Sequence, residues 1–213
     1  MQIHTFEFNP FAENTYVLTD ASGAAMIVDP GCSNRQEEAA LRDFIAVNEL
    51  RVEKIVNTHC HIDHVLGNAF ACRTFGVPLW IPKGEAEMLR AQKNFALAWG
   101  FPQYQAQEEF QLLENEGMLT FGKTQLQILY VPGHSPGHLV FYHAESGNCI
   151  GGDVLFRESI GRTDLPGGNH AQLLRYIETM LFALPDNTVV HPGHGPTTTI
   201  GHEKRYNPFC GLH

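Results

Sequence analysis

The chain has 213 residues, of which 43% are apolar, 10% aromatic and 17% charged, enough to build a packed core and too apolar for disorder. Lys plus Arg number 14 against 23 for Asp plus Glu, a formal charge of −9, and such a surface repels phosphate backbones, so nucleic acid is not an expected partner. No apolar run nears the roughly 20 residues that span a bilayer, and the start Met1-Gln2-Ile3-His4-Thr5 lacks the basic and apolar regions of a secretory leader. A membrane partner is therefore not expected either. The five cysteines form no Cys-x-x-Cys pair, which reads as reduced thiols in a cytoplasmic protein. The length favours one domain over 1–213.

Three strands open the chain, Ile3–Phe8, Thr15–Thr19 and Ala24–Val28, the last running into Asp29-Pro30-Gly31. A helix follows, with Asn34 as its cap, Glu37 as the capping-box partner, and Leu41, Phe44 and Ile45 on one face. Val52–Asn57 reads as a strand leading into a histidine cluster, and Val65–Phe75 as a helix stopped by Gly76. Leu79–Ile81 is a short strand and Gly84–Asn94 a helix, before an irregular aromatic stretch from Phe95 to Gln107. Further strands are expected at Phe110–Leu113, Met118–Phe121, Gln125–Val131, Leu139–His143 and Cys149–Gly151, the last two flanking the turn Ser146-Gly147-Asn148. Leu173, Ile177, Met180, Leu181 and Leu184 share one face of a helix ended by Pro185, and Thr188–His191 is a last strand before a Gly/Pro-rich loop and a polar tail. Strand runs in both halves, each with helices, suggest two sheets packed together with helices outside.

The chemistry is concentrated in His59-Cys60-His61-Ile62-Asp63-His64, three imidazoles and a carboxylate within six residues at the end of a strand. His59 and His61 alternate and can point the same way, while Asp63 and His64 fall on the turn into the next helix. Two ligand pairs at adjacent points describe a dinuclear metal site. Three more strand ends offer completing ligands: His134 in Pro132-Gly133-His134, Asp153 in Gly151-Gly152-Asp153 and His194 in Pro192-Gly193-His194. An aspartate suits a bridge because each of its oxygens can take one ion. A structural zinc site fits less well, since such sites favour closed Cys/His sets. The isolated His4, His143, His170, His202 and His213 read as ordinary surface or core residues, whereas His138 and His191 stand close enough to support the ligands.

These residues resemble the metallo-β-lactamase superfamily, in particular its short glyoxalase-II-like hydrolases. The resemblance runs through Asp29-Pro30-Gly31, Thr58–His64, Pro132-Gly133-His134-Ser135-Pro136-Gly137-His138, Gly152-Asp153-Val154-Leu155-Phe156 and Pro192-Gly193-His194-Gly195-Pro196. It implies an α/β fold, the four-layer αββα sandwich, and two divalent metal ions, with zinc preferred and iron or a mixed pair allowed. By that resemblance His59, His61 and His134 hold one ion. Asp63, His64 and His194 hold the other, with Asp153 bridging, Asp29 behind the ligands and Asp63 carried as the catalytic residue.

The implied reaction is hydrolysis of S-D-lactoylglutathione or a related acyl-glutathione, a small-molecule substrate. Arg162, Lys204 and Arg205 are the candidates to hold its carboxylates. The alternatives on the same fold are an iron-dependent persulfide dioxygenase, which His59, His134 and Asp153 could serve, and a lactonase. Flavodiiron-type relatives carry Glu at the His61 position, and the commonest zinc β-lactamases carry Cys at the Asp153 position. On that ground neither the flavodiiron-type branch nor antibiotic hydrolysis is expected.

Overall fold

The computed structural model describes residues 1–212; His213 lies outside the described residues. The chain divides into two compact units, Met1–Leu113 with Thr120–Thr124, and Glu114–Leu119 with the chain from Gln125 on.

The first unit holds a six-stranded sheet in the order β1-β2-β3-β4-β5-β6. Strands β1 (Gln2–Phe8), β2 (Glu13–Thr19) and β3 (Ala24–Val28) form an antiparallel meander. From β3 the pairing becomes parallel, through β4 (Arg51–Val56), β5 (Leu79–Pro82) and β6 (Phe110–Leu113). Each parallel step is a crossover carried by helix, as parallel strands require: α1 (Arg35–Val47), then α2 (Ile62–Val65) with α3 (Asn68–Phe75), then α4 (Ala86–Phe95). Every residue of β2 and β3 is buried. Leu41 and Ile45 of α1 and Leu89 of α4 join Val17, Ile27, Ile55, Leu79 and Ile81 in one core, each fully buried large side chain contributing about 1.5–3 kcal/mol.

Asn34 caps α1, its Oδ1 accepting from Gln36 N and Glu37 N, both at 3.0 Å. Glu37 does not close the expected capping box. Its carboxylate accepts instead from Ser33 N (2.7 Å) and, across to the β1–β2 turn, from Asn9 N (3.1 Å). The helix expected over Val65–Phe75 is split at Leu66-Gly67. Gly67 N donates to Pro30 O (2.7 Å), and the Asp63 carbonyl is taken by Asn9 Nδ2 (3.1 Å), so the i→i−4 bond between them is absent. Gly76 ends α3 in the left-handed region at φ 68°, as its position predicts.

The second sheet has the order β14-β13-β10-β9-β8-β7. It comprises β7 (Gly117–Phe121), β8 (Thr124–Tyr130), β9 (Leu139–His143), β10 (Asn148–Gly152), β13 (Val189–Pro192) and β14 (Thr198–Thr199). β10 runs antiparallel to β9 and parallel to β13. A small hairpin, β11 (Leu155–Phe156) and β12 (Ser159–Ile160), lies between them in sequence. The expected amphipathic helix is α5 (His170–Tyr176), which widens into a π turn over Ile177–Leu181. Leu173, Ile177 and Leu181 pack on Val131, Val140, Val190 and Ile200. The polar tail carries α6 (Ile200–Tyr206), to which no element was assigned from the sequence, capped by Thr199 Oγ1 accepting from His202 N at 3.2 Å. Among the described residues, no helix is long and apolar enough to cross a membrane.

Candidate metal centre

In the first unit the site begins where β4 ends. Residues 57–61 leave the sheet without regular structure, and side chains meet several of their backbone groups, those of Thr58 N, Cys60 N and Cys60 O among them, as buried backbone requires. Asp29 is the hub. Its Oδ1 accepts from Thr58 N (2.7 Å) and Asn57 Nδ2 (3.3 Å), and its Oδ2 from Thr58 Oγ1 (2.6 Å). His64 Nδ1 lies 3.1 Å from the same Oδ2.

This geometry assigns protons. An ionised carboxylate only accepts, so His64 carries hydrogen on Nδ1 and presents the Nε2 lone pair. Thr58 spends its hydroxyl proton on Asp29, so its oxygen accepts from His59 Nδ1 at 3.1 Å, and His59 too presents Nε2. A carboxylate behind an imidazole is the usual way a ligand tautomer is fixed. Ligand atoms of Asp29, His59 and His64 lie within 4.8 Å of one another. The His59 ring stands 4.8 Å from that of His61 at 90° and 4.2 Å from that of His64. Asp63 Oδ2 lies 3.7 Å from His64 Nε2.

Asp29 adopts φ 49°, a left-handed conformation that Asp tolerates better than most residues. Its carbonyl accepts from Thr15 Oγ1 (2.7 Å), which also accepts from Gly31 N (2.9 Å) and lies 2.9 Å from Glu13 Oε2. Glu13 is fully buried. Burial lifts its carboxyl well above the usual carboxylate range, Asp29 and Asp63 adding to the rise and His64 opposing it.

In the second unit three strand ends converge. His134 Nδ1 donates to the Arg162 carbonyl at 2.8 Å, which leaves Nε2 as its acceptor nitrogen. Asp153 Oδ2 lies 3.6 Å from His134 Nε2 and 3.6 Å from His194 Nε2. His138 Nε2 accepts from Asp153 N at 3.0 Å, so this histidine holds the aspartate's backbone. His191 instead meets Asn148 Oδ1 at 2.8 Å. Two glycines make the approach feasible. A Cβ at Gly161 would overlap the Asp153 carbonyl and crowd His134 Nδ1, and one at Gly133 would overlap the backbone of Leu173.

The donor set fits divalent metal. Bonds of about 2.0–2.2 Å from His nitrogen and carboxylate oxygen, opened to tetrahedral or wider angles, separate two donors by about 3.4–3.7 Å. The His134–Asp153, His194–Asp153 and His64–Asp63 separations of 3.6, 3.6 and 3.7 Å have that spacing and exceed a normal hydrogen bond.

The basic candidates are placed differently. Arg162 forms a bidentate pair with Asp164, Nε to Oδ1 at 2.7 Å and Nη2 to Oδ2 at 2.8 Å, with its side chain 57% exposed. Lys204 pairs with Asp186 at 2.6 Å, and Arg205 is exposed. Sequence reasoning did not find Asn57, Thr58, Thr15, Glu13 or Asn9. Asn9, Thr15, Asn57 and Thr58 act through hydrogen bonds to backbone or to Asp29, and Glu13 through the Thr15 hydroxyl; only the adjacency of Thr58 to His59 hints at one of them.

Residues 8–194 match the metallo-β-lactamase superfamily. The chain is 35% identical over 211 residues to the hydroxyacylglutathione hydrolase GloC of Haemophilus influenzae, covering 98% of each. Its fold is similar to that of BLEG-1, a B3 metallo-β-lactamase, with a TM-score of 0.90, 36% identity and coverage of 98% of this chain and 99% of that one. It is also similar to TTHA1623 in a di-iron-bound form, with a TM-score of 0.84, 36% identity and coverage of 97% and 99%. The chain therefore belongs to the metallo-β-lactamase superfamily and is a metal-dependent hydrolase with that mixed α/β fold.

Proposed function

We propose that the two half-sites serve one dinuclear centre in a single working domain, and that the protein hydrolyses an acyl-glutathione thioester such as S-D-lactoylglutathione. In this reading His59, His61 and His134 hold one ion, Asp63, His64 and His194 hold the other, and Asp153 is shared. The observation that carries the shared role is the equal 3.6 Å spacing of one oxygen, Asp153 Oδ2, from His134 Nε2 and His194 Nε2. The thioester substrate is supported by the full-length similarity to a protein named hydroxyacylglutathione hydrolase. Zinc fits the nitrogen and oxygen donors, and the similarity to a di-iron-bound protein supports iron as well.

When bound, the ions supply a Lewis acid for the carbonyl oxygen and a nucleophile at neutral pH, since coordination lowers the pKa of water to about 7. The chain's own residues hold the geometry. Asp29, Thr58 and the Arg162 carbonyl keep the Nδ1 protons of His64, His59 and His134, and His138 holds the Asp153 backbone. Asp63, the more exposed of the two ligand carboxylates at 15% against 11%, is the catalytic side chain open to the proton of the attacking water. The departing thiolate has an ordinary pKa of about 8.5 and needs no general acid. Arg162 is the candidate for a substrate carboxylate, with Lys204 and Arg205 behind it. A ligand at Arg162 must compete with Asp164 for its guanidinium fork.

A second reading, hydrolysis of a β-lactam, is favoured by the similarity to BLEG-1. The absence of a Cys at the Asp153 position bears on the commonest zinc β-lactamases and does not address the B3 class. Turnover of S-D-lactoylglutathione, a penicillin and a cephalosporin, measured anaerobically on zinc-loaded protein, separates the two. We expect thioester cleavage without oxygen, β-lactam cleavage far slower, and Arg162→Ala raising KM for the glutathione thioester only. Faster β-lactam turnover would replace the thioester reading. Oxygen uptake with glutathione persulfide and no thioester cleavage would contradict hydrolysis altogether.

A further inference from the structure

Two side chains from the α4 region grip the peptide between the first two histidines. Cys60 N donates to Glu85 Oε2 at 3.0 Å, and Gln92 Nε2 donates to Cys60 O at 2.7 Å. The first bond fixes the peptide joining His59 to Cys60, and the second fixes the one joining Cys60 to His61. With both peptide planes held, the backbone torsions of Cys60 are set, and with them the relative direction of the two imidazoles, which stand at 90°. This stretch belongs to neither helix nor strand, so no ladder would hold it otherwise.

The placement on α4 follows from helical period. Glu85 closes the short 3-10 turn Lys83–Glu85 and occupies the N-cap position of α4, and Gln92 stands seven residues on, two turns along the same face. Both side chains are buried, Glu85 completely and Gln92 at 5% exposed. A carboxylate and an amide are costly to bury, and apolar side chains of similar volume would ordinarily pack as well or better. Their presence at that depth is accounted for by the loop they hold.

We propose that Glu85 and Gln92 are positioning residues that preset the His59–His61 pair for its metal ion before the ion arrives. The inference rests on the reading of His59 and His61 as ligands of one ion. It assigns Cys60 no chemistry of its own: the thiol is buried in the core of the first unit, and its pKa is pushed up chiefly by burial, then by Glu85 and Asp29.

The test compares Glu85→Gln, which keeps an acceptor oxygen at the same reach, with Glu85→Ala and with Gln92→Met, which keeps the volume and loses the donor. Three quantities are read: zinc affinity by competition with a chromophoric chelator, the visible absorption of the cobalt(II)-substituted protein, and the exchange rate of the Cys60 amide in metal-free protein. Glu85→Ala and Gln92→Met are expected to weaken one of the two metal sites about 10- to 100-fold, as lost supporting bonds to ligands do, and to alter the cobalt spectrum. Glu85→Ala also speeds exchange of the Cys60 amide, whereas Glu85→Gln stays within about threefold of the unaltered protein in affinity and keeps its spectrum. A merely structural role would lower melting temperature while leaving affinity and spectrum alone. Gln92→Met carries the comparison if Glu85→Ala does not fold. Unchanged affinity and spectrum in folded Gln92→Met, or Glu85→Gln as damaging as Glu85→Ala, would overturn the clamp. Failure of the unaltered protein to bind zinc or cobalt would overturn the metal reading and the clamp with it, a result distinct from variants that bind as the unaltered protein does.

Discussion

Asp29 shows how much of a metal site is decided behind its ligands. Its two oxygens meet four donors, from Asn57, from Thr58 twice and from His64, and two of those contacts set the Nδ1 protons of His64 and, through Thr58, of His59, leaving Nε2 as the acceptor nitrogen of each. Asp29→Asn keeps the side-chain shape and remains at ease at φ 49°. It also places an NH2 group against hydrogen-bond donors and removes the ionised acceptor from His64. Zinc affinity should fall about 10- to 100-fold with only a modest loss of stability. Asp29→Ala should lose the same affinity and an additional 1–3 kcal/mol or so for the left-handed backbone. Chelator competition and thermal melts on the two variants check this, and wild-type affinity in Asp29→Asn would contradict the hub role. At this scale the cluster of His59, His61 and His64 was legible because the three lie together in sequence at a strand end. Glu85, Gln92 and Asn9 were not, because each reaches a backbone atom far along the chain, and no spacing rule records such a partner.

Among elements, the strands were legible where local pattern and burial agree. β3 is a short apolar run that the structure buries along its whole length, and the apolar centre of β2, Tyr16 to Leu18, is buried with it. Helix α6 escaped because Ile200–Tyr206 is largely polar and too short for apolar periodicity, leaving only the Thr199 cap as a signal. The break between α2 and α3 escaped because its causes, Pro30 O and Asn9 Nδ2, are long-range.

β13 carries a pH prediction. Burial depresses the His191 imidazole to about 4, against about 6.5 when exposed. The unfolded chain therefore takes up a proton below about 6.5 while the folded protein does not do so until about 4. The stability this residue contributes is complete above about pH 6.5 and is lost progressively down to about pH 4, on the order of 3 kcal/mol in all. His191→Gln, which does not titrate and keeps an amide donor for Asn148, should lose less stability between pH 7 and pH 4.5 than the unaltered protein. Denaturant midpoints at the two pH values measure the difference. Equal losses would show that His191 is not held neutral.

For the whole molecule, the sequence carried the fold family through a few motifs spread from Asp29 to Pro196, and residues 8–194 match that family. The division into two compact units was not legible in detail. Residues 120–124 belong to the first unit although their neighbours on both sides belong to the second. The reason is a pair of bonds from Gly122 N to Glu53 Oε2 (2.7 Å) and from Lys123 N to Asp20 Oδ2 (2.6 Å). Such a return depends on the tertiary partner rather than on the segment itself.

The proposed dinuclear hydrolase depends on Asp153 as a ligand common to two ions. The most direct measurement is elemental analysis paired with anaerobic S-D-lactoylglutathione turnover, on the unaltered protein, on protein stripped by chelator and reloaded with zinc, and on Asp153→Ala. The account predicts about two equivalents of metal in the unaltered protein, activity lost on stripping and regained on reloading, and fewer than two equivalents with no turnover in Asp153→Ala. Full turnover by the stripped protein, or two equivalents and full activity in Asp153→Ala, would contradict it.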